Sequence, residues 1–149
     1  MKANVILSAV LLSLSASMVQ AESATDKAIE YRQGVYRAMD WNLSPLAAMV
    51  QGRVDFDGEV FAQRAERIAL LGSIVAEGFA DAESVRGDTR ASYRIWEGRE
   101  RFDELMAQMQ QRSRALQQAA AAGQGRDELR PLLGQLGQSC KACHDRFRD

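Results

Sequence analysis

The residues with the most distinctive chemistry lie together near the end of this 149-residue chain, in the stretch SCKACHDRF. Cys140 and Cys143 are the only two cysteines, and His144 is the only histidine. The two thiols are three positions apart, and the imidazole follows the second thiol directly. A chain that gathers all of its thiol and imidazole groups into one short stretch is predicted to use them as a single site.

Three kinds of site use cysteine and histidine in this way. In Cys-x-x-Cys-His, two thiols bond to the vinyl groups of a c-type haem and the histidine binds the iron. A redox dithiol usually accompanies a strand–helix unit, which this sequence lacks. A disulfide is the third possibility, together with structural zinc, which needs about four protein ligands. We predict one haem c, attached to Cys140 and Cys143, with His144 as the ligand of its iron.

The first 21 residues differ from the rest of the chain. Lys2 precedes an apolar run over residues 5–14, and small and polar residues then lead to Ala21. This arrangement is typical of a secretory signal peptide, and the apolar run is too short for a membrane-spanning helix. We predict cleavage after Ala21, a single mature domain over residues 22–149, and export to the periplasm.

The composition limits the kinds of partner. Hydrophobic residues make up 46% and charged residues 26% of the chain, which is typical of a soluble globular domain. The formal net charge is −1 and becomes −2 without Lys2. The arginines are scattered among acids, so the clustered basic face of a nucleic-acid-binding protein is missing. We therefore predict neither a nucleic-acid partner nor a membrane partner.

Four segments have the apolar spacing of amphipathic helices, with steps of three and four residues. They cover residues 25–50, 57–79, 92–122 and 127–147, and a polar loop covers residues 81–91. Ser44-Pro45 is a helix-start signal, so the first helix is expected to bend or restart there. Four such helices with short connections predict an all-α, antiparallel, up-down-up-down four-helix bundle with the haem in its core.

The fourth segment directs both cysteines toward the core. Its apolar stripe runs through Leu129, Leu132, Leu133, Leu136, Cys140, Cys143 and Phe147. Residues three or four apart share one face of a helix. Cys140 and Cys143 therefore continue the core-facing stripe, and His144 projects from a neighbouring part of that face.

No second histidine is available for the other side of the iron. Electron carriers often use methionine there, and the mature chain contains Met39, Met49, Met106 and Met109. Methionine also fills irregular gaps in cores, and this is the simpler interpretation for the last three. Met39 lies on the inner stripe of the first helix and is the credible sixth ligand.

The predicted mature chain resembles the cytochrome c′ family along nearly all of its length. YRQGVYRAMDWNLSPLAAMV is similar to the first helix of the family, and FAQRAERIALLGSIVAEGF to the second. IWEGRERF resembles the start of the third helix, and GQSCKACHDRFR the haem-binding end of the fourth. The resemblance implies a five-coordinate, high-spin haem with His144 as proximal ligand and a distal face packed by side chains.

The same resemblance suggests further haem contacts. Tyr36 stands in the distal position that many relatives fill with leucine or another apolar residue. Arg32 and Gln33 match a pair near the haem propionates, and Met39 is expected to pack against the haem. Arg148 matches an arginine beside the proximal histidine.

Two features depart from the family pattern. Phe147 replaces a common tyrosine, and the loop before IWEGRERF lacks the usual glycine and proline elements. The resemblance therefore leaves the geometry of the haem edge open. Trp41, Phe79 and Trp96 are candidates for packing against the porphyrin, although aromatic residues at helical spacing are more often part of the core.

The resemblance to the cytochrome c′ family implies a function as well. It implies that nitric oxide and carbon monoxide bind past Tyr36, that the protein takes part in nitric oxide handling, and that the iron is redox-active. The alternative is a six-coordinate periplasmic electron-transfer cytochrome with Met39 on the iron; neither interpretation identifies a redox partner. Peroxidase-like catalysis would need a distal histidine to move protons, and we predict no enzyme activity. A homodimer through the first two helices is implied, and the apolar residues of AAMV and LLGSIV agree with it.

Overall fold

The computed structural model describes residues 23–149, and most of this range is helical. The helices are α1 Ala24–Val50, α2 Gly58–Ile74, the single turn α3 Arg94–Glu97, α4 Arg99–Ala121 and α5 Arg126–Phe147. Two 3₁₀ helices follow α2, at Val75–Phe79 and Ala82–Val85. The predicted signal peptide and its cleavage site lie outside the described residues. Within residues 23–149, no helix has the length and hydropathy needed to cross a bilayer.

The long helices α1, α2, α4 and α5 form a four-helix bundle, which confirms the predicted fold class. Both α1 and α4 pack against α2 and α5, so the helices surround one core. Fully buried apolar side chains fill much of it, including Leu46, Phe61, Ile68, Leu116, Leu129 and Leu136. Burial of each such side chain stabilises the fold by roughly 1.5–3 kcal/mol relative to exposure.

Local sequence signals explain where the helices begin and end. The Ser23 hydroxyl accepts a hydrogen bond from the Asp26 amide at 3.0 Å, and an Asp57 carboxylate oxygen accepts one from the Val60 amide at 3.0 Å. Both satisfy amide groups that have no partner in the first turn of a helix. Gly123 follows the end of α4 with φ of +75°, a conformation that glycine adopts without steric cost.

The first helix does not restart at Ser44-Pro45, so that part of the prediction is wrong. α1 continues through Pro45 to Val50. Proline has no amide hydrogen, which leaves the carbonyl four residues earlier without its helical donor. That carbonyl belongs to Trp41, and it accepts a hydrogen bond from Arg64 Nη1 of α2 at 3.1 Å. The neighbouring helix thus replaces the bond that proline removes.

The second and third predicted helices are each subdivided. The α-helical part of the second ends at Ile74 and continues as a 3₁₀ helix, within which residue 78 lies close to α1. A Cβ on Gly78 would lie 2.6 Å from the Arg32 Cβ, so only glycine fits without displacement.

In the third predicted helix, Gly98 separates α3 from α4 with φ of −120° and ψ of 41°. Glycine disfavours the helix interior, and the break lets α3 pack against α5.

Candidate functional site

A cavity of about 790 Å³ lies within the bundle and is lined by α1, α4, α5 and the segment between α2 and α4. Protein interiors are normally close-packed by their own side chains, whereas cofactor sites have volumes of about 300–1,000 Å³. All eight residues assigned to the haem site line it: Arg32, Gln33, Tyr36, Met39, Cys140, Cys143, His144 and Arg148. The structure therefore brings the whole predicted site together in one place.

The α5 wall carries the two cysteines as half-buried free thiols. Burial raises the pKa of both, that of Cys143 to about 11 with a further contribution from Cys140. A reactive dithiol normally has a lowered thiol pKa, so these environments argue against the redox alternative. Within residues 23–149, no group of three or more His, Cys, Asp or Glu side chains is placed to hold a metal ion. The zinc alternative thus lacks ligands in the described part of the chain.

His144 lies in the last turn of α5, at the rim of the cavity. Burial lowers the pKa of its imidazole, and the charges of Arg148 and Arg90 lower it further, while Asp145 opposes them. The neutral imidazole is the form that binds metals. An apolar cavity with two thiols on one wall and a neutral imidazole beside them fits a covalently attached haem.

On the α1 wall, Tyr36 and Met39 face the same cavity. Burial is the main cause that raises the pKa of the Tyr36 phenol, and the nearby thiols of Cys143 and Cys140 raise it further. The phenol therefore remains neutral. Its ring packs edge-on against Phe79, with centroids 6.5 Å apart. Met39 is buried.

Arg32 and Gln33 line the cavity, but their donors point mainly to protein groups. The two Nη atoms of Arg32 donate four hydrogen bonds, to the Gly78 carbonyl, to the hydroxyl and carbonyl oxygens of Ser84, and to the Thr89 hydroxyl. Gln33 Nε2 donates to the Asp88 carbonyl at 2.8 Å. This attachment to the segment after α2 was not predicted, since nothing in the periodicity of α1 indicates it.

Arg148 follows α5 and is held in place although it is the penultimate residue. Its backbone forms an isolated antiparallel bridge with Ala91, the only such pairing within residues 23–149. The Ser92 amide donates to the Phe147 carbonyl, and the Asp149 amide donates to the Arg90 carbonyl, each at 2.9 Å. Residues 147–149 are therefore held against residues 90–92, and Phe147 and Arg148 line the cavity beside His144.

Aromatic side chains form one part of the cavity lining. The rings of Phe79 and Phe102 are 5.0 Å apart, and those of Phe102 and Phe147 are 5.5 Å apart. Phe79 and Trp41 line the cavity as the sequence suggested, although Trp41 is 73% exposed, whereas Trp96 is not part of the lining.

Two methionines of α4 extend this lining. Met106 and Met109 face the cavity, so the simpler interpretation of both as core filler is wrong. Both are buried. The helical stripe of α4 looks the same for a filled core and for a cavity wall, so only the packing distinguishes the two.

Comparison with known proteins agrees with this geometry. A sequence profile described as cytochrome c′ matches residues 27–148. Cytochrome c′ from Halomonas halodenitrificans is 35% identical over 128 residues, which cover 83% of this chain and 96% of that protein. The structure of cytochrome c prime from Shewanella frigidimarina is also 35% identical, with a TM-score of 0.81, and the match covers 86% of this chain and 98% of that one.

A nitric oxide complex of a mutant cytochrome c prime from Alcaligenes xylosoxidans is a further structural relative. It is 28% identical with a TM-score of 0.78, and the match covers 86% of this chain and 98% of that chain. Proteins of this kind carry covalently bound haem c, and the present chain has the two cysteines that such attachment needs. By profile, sequence and structure alike, the chain belongs to the cytochrome c′ family, with haem c as its cofactor.

Proposed function

We propose that this protein is a periplasmic haem protein that binds nitric oxide and carbon monoxide at a five-coordinate iron. In this proposal residues 22–149 are the mature domain, Cys140 and Cys143 form the thioether bonds, and His144 is the proximal ligand. The bound haem supplies an iron with one open coordination position and a one-electron redox change. The remaining chemistry is that of the residues around it.

The observation that carries the proposal is the half-buried, neutral Tyr36 on the α1 wall. Tyrosine does serve as a haem ligand in some proteins, and the anionic phenolate is the better donor. Because the pKa of Tyr36 is raised, the phenol retains its proton. It therefore occupies space on the distal side without supplying a strong ligand, which favours an open position.

The cavity lining favours small, weakly polar ligands. The Tyr36 ring shares this lining with Phe79, Phe102 and Met106. Such a lining disfavours water and bulky polar molecules, whereas a diatomic gas needs little space and few hydrogen bonds. The Tyr36 hydroxyl adds one potential donor, so oxygen binding is part of the test below.

The relative solved as a nitric oxide complex supports the choice of ligand. We propose that Tyr36 moves aside as the gas enters, and that His144 is weakened or lost as the proximal ligand when nitric oxide binds. Nitric oxide handling, with redox cycling of the iron, is then the role, rather than catalysis. No redox partner is assigned.

Absorption and electron paramagnetic resonance spectra of the purified holoprotein, ferric and ferrous, test this proposal. We expect a high-spin ferrous spectrum that shifts on addition of nitric oxide or carbon monoxide and stays unchanged in oxygen-saturated buffer apart from oxidation. A nitrosyl spectrum that stays six-coordinate at every ligand concentration would contradict the loss of His144. N-terminal mass spectrometry of exported protein should find Glu22 as the first residue.

The second candidate function is electron transfer with Met39 as the sixth ligand. Met39 is buried and lines the same cavity as Tyr36, which is the observation in its favour. A low-spin spectrum with the far-red methionine–iron band, unaffected by nitric oxide, would establish this alternative. Replacement of Met39 by leucine should then abolish the band, whereas it should leave a five-coordinate protein unchanged in spin state.

We also propose that the protein is a homodimer that pairs through α1 and α2. Trp41 of α1 is 73% exposed and Leu70 of α2 is 63% exposed, so each of the two helices offers one large apolar side chain to a second copy. A second copy that covers these residues would remove both from water. Sedimentation at the mass of a single chain at micromolar concentration would refute the dimer, and Leu70→Glu should convert a true dimer to monomers.

A further inference from the structure

Arg32 is a buried cation held by backbone and hydroxyl groups. Its side chain is 1% exposed, and within residues 23–149 it forms no salt bridge with a carboxylate. A buried charge is costly unless its hydrogen bonds are satisfied. The four bonds from its Nη atoms meet this need, and all of them end on residues 78, 84 and 89. The guanidinium is therefore satisfied only while these residues stay where they are.

The same residues belong to one stretch, residues 78–91, which we call the rim segment because its last part borders the cavity. Thr89, Arg90 and Ala91 line the cavity directly. At the other end, the fit of Gly78 against the Arg32 Cβ leaves no room for a side chain. Gln33 adds a bond to the Asp88 carbonyl. Two adjacent residues of α1 thus hold the rim segment at both ends.

Phe79, the second residue of the rim segment, lies next to Tyr36, past which the gas is proposed to enter. The Arg32 guanidinium carbon lies 4.8 Å from the centroid of the Phe79 ring, and Tyr36 packs edge-on against the same ring at 6.5 Å. Phe102 packs against it at 5.0 Å, and Arg99 Nη1 donates to the Phe79 carbonyl at 2.9 Å. On the side where the Phe79 ring packs against it, Tyr36 can move only as far as this ring gives way.

From these contacts we infer that Arg32 is a positioning residue for gas entry, which holds the rim segment and Phe79 so that they limit the movement of Tyr36. This role rests on the proposed function, because it concerns passage of a gas across the distal side. It is a separate role from pairing with a haem propionate, because it acts through the protein oxygens that Arg32 Nη1 and Nη2 contact. The two roles predict different variants to be affected.

The test removes two of the four oxygen partners of Arg32 and leaves its charge intact. In Thr89→Val and Ser84→Ala, two hydroxyl acceptors are lost; the Thr89 hydroxyl also accepts from the Ala91 amide, and the Ser84 hydroxyl donates to the Asp81 carbonyl. We expect carbon monoxide to associate with the ferrous double variant about 3- to 10-fold faster, in the range of couplings through packed contacts. Its dissociation rate and the iron–His144 stretching frequency in resonance Raman spectra should stay near the wild-type values.

Thr25→Val provides the matched control. The Thr25 hydroxyl also ties α1 to the rim segment, through an Asp81 carboxylate oxygen at 3.0 Å, but it does not contact Arg32 or Phe79. Wild-type association in this variant, with faster association in the double variant, supports the inference. Equal acceleration in both would show general loosening of the segment and would overturn it.

Arg32→Gln separates the two roles of the cation. If it alone alters association and also shifts the reduction potential, while the double variant behaves as wild type, Arg32 acts through the charge of the haem propionate and the inference is wrong. If Arg32→Gln does not fold, the hydroxyl variants still decide the matter. A wild-type protein that binds no carbon monoxide would instead refute the proposed gas-binding function, and the inference with it.

Discussion

The two halves of the bundle use the same helical pattern for different purposes. Around Leu46, Phe61, Leu116 and Leu129 the apolar stripes meet and fill the core completely. Around Tyr36, Met106 and Cys140 the stripes enclose a cavity of about 790 Å³. The filled half is stabilised by its own side chains, whereas the open half depends on a bound group for its packing. We therefore expect variants in the filled half to change mainly stability, and variants in the open half to change mainly the binding of ligands.

The largest effect is expected from loss of the covalent attachment. The Cys140→Ala, Cys143→Ala double variant should retain no haem on a denaturing gel, because no other cysteine exists in the chain. Its thermal unfolding temperature should fall markedly, since the cavity loses the group that fills it. Ser139→Ala, next to the site on the same helix, is the control and should retain haem. Covalent haem in the double variant would contradict the assigned attachment.

In the filled half, Phe61→Ala should destabilise the protein by about 3–5 kcal/mol, the usual cost of removing a fully buried aromatic ring. Chemical denaturation monitored by circular dichroism measures this change. The spectrum of the residual folded protein and its carbon monoxide association rate should stay close to wild type. A large change in gas binding would show that the two halves are not independent.

In the open half, Tyr36→Leu should have the opposite profile. The smaller side chain leaves more room beside Phe79, so nitric oxide and carbon monoxide should associate several-fold faster in stopped-flow measurements. The free energy of unfolding should change by less than it does in the Phe61→Ala variant, because the ring of Tyr36 is only half-buried. An unchanged association rate would exclude Tyr36 as the barrier to entry.

A smaller effect is expected at the proline of α1, between the two halves. Arg64→Met keeps much of the apolar side chain but removes the donor to the Trp41 carbonyl. We expect a loss of about 1 kcal/mol, typical of one hydrogen bond that is partly accessible to solvent. A reverse change, Pro45→Ala, should reduce this loss by restoring a backbone donor to the same carbonyl, and a double-mutant cycle measures the coupling.

The smallest expected effect is the pH dependence of stability from His144 in the haem-free Cys140→Ala, Cys143→Ala variant, where no iron holds the imidazole. Its pKa in the folded protein lies below the ordinary value of 6.5, mainly because of burial. The unfolded state therefore binds the proton more tightly, and stability is fully present above pH 6.5 and falls as the pH drops through that value. Urea unfolding should be unchanged between pH 8 and 7.5 and weaker at pH 5.5. Greater stability at pH 5.5 would contradict the assigned sign.

Much of the site could be predicted because its signals are local. The spacing of Cys140, Cys143 and His144 specifies their chemistry, and the stripe of α5 places both thiols toward the core. Helix ends at Ser23 and Asp57 follow from capping within three residues. In each case the interacting groups are close in sequence, so periodicity and residue type carry the information.

The sequence alone determined the helical class, the bundle and the attachment site on α5, because each depends on patterns that repeat within a few turns. Only the tertiary structure decided how Arg32 is used, that α1 passes through Pro45, and that Met106 and Met109 line a cavity rather than fill a core. Arg32 reaches Ser84 and Thr89 across more than fifty residues, and Trp41 needs Arg64 from another helix. Such partners are selected by packing among helices, and no local spacing records them.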